Sequence, residues 1–132
     1  MPSAIERRTQ LVFLCLILSQ AAHSVEEYST KLYEVFPPAH FASSLVSSDL
    51  GRGFLILNTG IVTAGLVCWA FPVRLGWRSA RGFAWFWAIL EMANGIGHSA
   101  LALGRQGYFP GLGTAPLLIF FGGWTAMLLI RD

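Results

Sequence analysis

The sequence predicts an all-α fold: a four-helix transmembrane bundle in up-down order, formed as a single domain over residues 1–132. Three observations predict it. Hydrophobic residues make up 55% of the chain and charged residues 12%, about half the charged share of an ordinary soluble domain. Four apolar segments follow one another, each near or above the roughly 20 residues that cross a bilayer as a helix. The connectors between them are short and contain Pro, Gly, Ser and Arg, residues that punctuate helices.

The first segment, residues 11–36, is apolar with polar interruptions, and Pro37-Pro38 ends it because proline cannot continue a helical ladder. The second, 54–73, carries Asn58 and no charge before its end. The third, 83–104, carries Glu91, Asn94 and His98, and the fourth, 112–130, is uncharged. A second reading takes "ERRTQLVFLCLILSQAAHS" as a cleaved signal peptide, which would leave three spans. Against it, Ser19, His23, Glu26, Glu27, Thr30 and Glu34 share one stripe about 100° wide across the supposed cut. A leader has no reason to share a helical face with the mature protein.

Basic residues give the orientation. Arg7, Arg8, Arg74, Arg78, Arg81 and Arg131 fall on one side of a four-span chain; Lys31, Arg52 and Arg105 fall on the other. Both termini are therefore expected in the cytoplasm, with the protein in the cell membrane. A formal charge of +2 gives no reason to expect nucleic acid as a partner, and two cysteines are too few for a disulfide scaffold. Trp69, Trp85 and Trp87 are expected as an interfacial belt, and Gly95, Gly97, Gly122 and Gly123 as points of close helix approach.

Counted in from the cytoplasmic ends, His23, Glu26, Glu27, Asn58, Glu91, Asn94 and His98 share a layer roughly 10 Å thick. Glu91, Asn94 and His98 also fall within about 60° on one face of their helix. An ionisable group inside a membrane is a functional hypothesis by default. Here the layer holds no lysine or arginine to balance its acids. Either a cation sits among them or protons are retained. Imidazole with carboxylate suits zinc, iron or manganese, and helical bundles build such sites from inward His and Glu.

"HSVEE" at 23–27 followed by "NGIGH" at 94–98 resembles the HxxEE domain family of small polytopic membrane proteins. Asn58 and "YFPGLGTAPLL" at 108–118 resemble its later segments, so the likeness covers nearly the whole chain. The resemblance implies a membrane location and a polar site and carries no settled reaction.

The expected metal ligands are His23, Glu26, Glu27 and His98. Asn58 and Asn94 are expected to orient ligands or substrate. Glu26, Glu27 and Glu91 are the candidate catalytic acids, Glu91 as an acid beside the centre or a further ligand. The expected activity is enzymatic, on a lipophilic small molecule entering from the bilayer lipid. One alternative is a metal-free Glu/His pair for acid–base catalysis or proton-coupled transport, the latter as a homo-oligomer. Another is a structural membrane subunit whose polar layer docks a partner. Glu34, beside Lys31, is expected at the interface outside the site, His40 in solvent, and Arg105, Tyr108 and Pro110 in a plain connector.

Overall fold

The computed structural model describes residues 4–132 and is all-helical among them. Six helices follow in order: α1 Arg7–Ser29, α2 Leu32–Val35, α3 Pro37–Val46, α4 Leu50–Cys68, α5 Ala80–Arg105 and α6 Ala115–Arg131. Four of them, α1, α4, α5 and α6, correspond to the four apolar segments.

The first segment is shorter as a helix than expected. It stops at Ser29, and Lys31 then takes a left-handed conformation at φ 58° before the single turn of α2. Thr30 marks the stop: its hydroxyl donates to Glu26 O at 2.7 Å. Helix α3 lies outside all four expected segments. Pro37-Pro38 ends the preceding turn, but it also occupies the first positions of α3, where a missing N–H costs nothing and φ is already helical. A proline pair read as a stop is here a start as well.

Asp49 caps α4 by accepting from Arg52 N at 3.1 Å. At its other end α4 runs into a π-helical turn, Trp69–Val73, around Pro72. The proline has no N–H for the α-helical ladder, and the backbone widens there. Helix α6 packs against both α5 and α1, while α4 packs against α1 and α3.

Two apolar clusters mark opposite ends of the long helices. One joins Ile5, Phe13 and Ile17 to Val73, Ala84, Trp87 and Leu129. The other joins Leu32, Tyr33, Phe54, Ala102 and Phe109. The starts of α1 and α5 therefore meet the ends of α4 and α6, so the four long helices alternate in direction.

Close approach of α5 and α6 depends on two of the four glycines expected there. A Cβ on Gly95 would lie 2.7 Å from Ala115 O, and one on Gly122 would lie 2.6 Å from Met92 Cγ. Gly97 faces open space, and Gly123 only approaches Met92 Sδ at 3.9 Å. Trp87, expected in an interfacial belt, is instead buried in the first cluster. Of the described helices, one, Leu50–Val73, is long and apolar enough to cross a membrane by length and composition. Ala115–Arg131 is apolar but shorter, and α1 and α5 are interrupted by their polar stripes.

Candidate metal centre

The polar stripe of α1 turns inward at His23 and Glu27, one helical turn apart, and meets His98 of α5. His23 Nε2 lies 3.1 Å from Glu27 Oε1, and His98 Nε2 lies 2.9 Å from the same oxygen. The imidazoles pack edge to face with centroids 4.6 Å apart. One ligand atom from each of the three residues falls within 4.8 Å of the others, and all three residues are buried.

The outer nitrogens of the two rings determine what the inner ones present. His98 Nδ1 is 2.6 Å from Pro110 O. A carbonyl only accepts, so Nδ1 carries the proton and a neutral ring presents a bare Nε2 to Glu27. His23 Nδ1 is 2.7 Å from Thr114 Oγ1. The Thr114 hydroxyl donates to Glu26 Oε1 at 2.7 Å, so it accepts from His23 Nδ1–H. Its single proton is already committed. A neutral His23 therefore also presents a bare Nε2, buried and 3.1 Å from Glu27 Oε1. With both rings neutral, two lone pairs and a carboxylate point at one another.

Glu26 is turned elsewhere. Its oxygens accept from Gly111 N at 3.1 Å, Gly113 N at 3.0 Å and Thr114 N at 2.8 Å, and from the hydroxyls of Thr114 and Tyr108. These amides belong to the turn just before α6, which begins at Ala115. A carboxylate on α1 thus holds the 108–114 loop over the centre. Burial of the Tyr108 hydroxyl and its bond to the Glu26 carboxylate push its pKa above the usual value. Gly111 sits directly over the rings at φ +97°, where a Cβ would lie 2.6 Å from His98 Nδ1 and 2.7 Å from His23 Cε1.

The remaining expected residues form a second polar group. Asn94 Nδ2 donates to Glu91 Oε2 at 3.4 Å. The Gln20 amide lies 2.6 Å from Glu91 Oε2 and 3.1 Å from Ser24 Oγ. Ser24 Oγ donates to Asn58 Oδ1 at 2.9 Å, and Asn58 Nδ2 donates to Phe54 O at 3.0 Å. Glu91 is almost fully buried. Neither Asn58 nor Asn94 has a hydrogen bond to His23, Glu27 or His98 among those described. Glu34 pairs with Lys31 at 3.6 Å on the exposed surface, as expected, and His40 is exposed.

Sequence reasoning missed Thr114, Pro110 and Gly111, because the loop was expected to be a plain connector. The run Pro-Gly-Leu-Gly-Thr before a helix was the available signal: it supplies a tight turn, free amides and a hydroxyl at a helix start. Gln20 and Ser24 were missed because neither is ionisable.

No curated protein and no solved structure matches the chain. The family model described as "Protein of unknown function with HXXEE motif" matches residues 13–125. That span contains His23, Glu26, Glu27 and His98, and the chain belongs to this family.

Proposed function

We propose that the chain is an integral membrane protein that holds one divalent metal on His23, Glu27 and His98 and acts on a lipophilic small molecule. The observation that carries this reading is the pair of fixed ring orientations. Metal-binding histidines characteristically donate their other N–H to a carbonyl, carboxylate or water, which sets the tautomer and aims the ring. Here Pro110 O accepts that N–H from His98, and Thr114 Oγ1, backed by Glu26, accepts it from His23.

Two ligands about 2.1 Å from a tetrahedral ion lie about 3.4 Å apart. The contacts at 2.9 and 3.1 Å need to open by only a few tenths of an ångström. Two histidines and a glutamate are a catalytic rather than a structural ligand set, because three protein ligands leave a position for water or substrate. Bound there, zinc, iron or manganese would supply Lewis-acid or redox chemistry. The chain's own residues would hold and orient: Glu26 closes the loop, Thr114 and Pro110 aim the rings, and Gly111 admits the backbone close to both.

Membrane insertion is supported by the length of Leu50–Val73 and by large apolar side chains exposed on every long helix, among them Leu18, Leu55, Phe86, Leu103 and Ile130. The basic residues orient both termini to the cytoplasm. A second reading has one observation in its favour. A proton shared among Glu27, His23 and His98 also satisfies the short contacts, and the site would then be a metal-free acid–base pair.

Elemental mass spectrometry on detergent-purified protein separates the two. About one equivalent of zinc, iron or manganese is expected in the wild type. It should be lost in His23→Ala, His98→Ala and Glu27→Gln while circular dichroism is unchanged. Absence of metal from the wild type, even after reconstitution, would sink the metal reading and leave the shared proton.

A further inference from the structure

A cavity of about 250 Å³ opens between α1 and α4. Its walls include Val25, Tyr28, Leu55 and Val62, and its polar lining includes Ser24 and Asn58. It is distinct from the histidine centre: none of His23, Glu27 and His98 lines it. At 100° per residue, successive positions around α1 place Gln20 and Ser24 between the centre's face and the cleft's face. The two sites therefore adjoin around one helix.

The hydrogen bonds at the cleft leave a definite vacancy in Asn58. One Nδ2 hydrogen goes to Phe54 O, and Oδ1 is taken by Ser24. An amide nitrogen has two hydrogens, so a second N–H remains in a wall that is otherwise mostly apolar. Ser24 holds Asn58 in place and itself accepts from Gln20 Nε2 at 3.1 Å. Asn58 is half-buried, and an N–H that faces an apolar wall favours an oxygen acceptor. The volume lies below the range of pockets for drug-sized ligands, which starts near 300 Å³. It suits one narrow chain better than a phospholipid with two tails.

We infer that the α1–α4 cleft binds a single-chain lipophile bearing a hydroxyl or carbonyl oxygen, with that oxygen on Asn58 and the hydrocarbon along Val25, Leu55 and Val62. This names a ligand class for a cleft that adjoins the centre proposed above. It rests on that reading for the chemistry and not for the binding itself.

The test is photolabelling of the detergent-purified full chain with a long-chain alcohol that carries a diazirine in its tail, followed by peptide mapping. Label is expected in residues 21–28 and 55–63. A long-chain alcohol should compete about fivefold better than the alkane of equal length, the worth of one neutral hydrogen bond. Asn58→Leu should erase that difference. Val62→Trp should fill the cleft and remove the label, with Thr59→Phe as a second filling variant in case Val62→Trp does not fold. Label spread evenly over the apolar faces of α5 and α6, or equal competition by alkane and alcohol, would overturn the inference. Metal content is measured on the same samples. Loss of the metal reading leaves the labelling result intact, and failed labelling leaves the metal result intact.

Discussion

The same helices build two unlike halves. Near the start of α1, Phe13, Leu16 and Ile17 are fully buried against Val73, Ala84 and Leu129. Within three turns further along the same helix, the buried residues are Ser19, Gln20, His23, Ser24 and Glu27. The first half coheres by shape, through close-packed apolar side chains whose contacts are individually small and collectively large. The second coheres by direction, because a buried polar group is tolerated only where a partner meets it. Apolar packing and the polar cluster thus occupy different levels of the same helices. Each half can then be damaged without the other.

That separation is what substitutions can break. Phe13→Ala should have the largest effect, a loss of about 3–5 kcal/mol for an aromatic ring removed from a packed interior. Thermal unfolding in detergent measures it. Metal content, read well below the transition, should stay at the wild-type level. If Phe13→Ala strips the metal from folded protein, the two halves are one cooperative unit and the contrast fails.

Gly111→Ala is the converse experiment and ranks second. The methyl group would lie within 2.6–2.8 Å of both imidazoles, at a backbone angle that L-residues rarely adopt. The loop must lift or the rings must turn. Metal affinity should fall about 100-fold, the upper end for disturbing the shell around a metal, while the unfolding temperature moves little. Metal titration with a competing chelator reads the first quantity. An affinity equal to wild type would mean that the loop does not aim the histidines.

The division of labour between Glu26 and Glu27 shows where the sequence stops being legible. Helical periodicity and the absence of counter-charge were enough to anticipate the helical segments, the inward stripe on α1, and the meeting of His23 and Glu27 with His98. Adjacent glutamates stand about 100° apart on a helix, so they cannot both face the same histidines. Which one does is decided by the 108–114 loop, more than 80 residues away in the chain, whose amides claim Glu26. The sequence-based expectation made both glutamates ligands because local spacing treats them alike. Helix α3 was hidden for a related reason: Pro37-Pro38 is compatible with both an end and a beginning, and only the tertiary path selects both.

Thr114→Val is the smallest change and the most discriminating. It keeps the size and branching of the side chain and removes one hydroxyl. In the wild type that hydroxyl receives the His23 Nδ1 proton and passes its own to Glu26. Valine does neither, so neutral His23 is no longer held in the tautomer that bares Nε2. His98 keeps its own acceptor at Pro110 O, and Glu26 keeps its three backbone amides, so the loop stays closed. Metal affinity should therefore fall only about tenfold, the lower end for losing one outer partner. Cobalt loaded into the site would give a spectrum, and its shape should remain that of wild type because the three side chains are unchanged. Thr114→Ser restores the hydroxyl and should restore the affinity. If valine and serine behave alike, the His23–Thr114–Glu26 chain is structural, and the aim of His23 comes from packing against His98 alone.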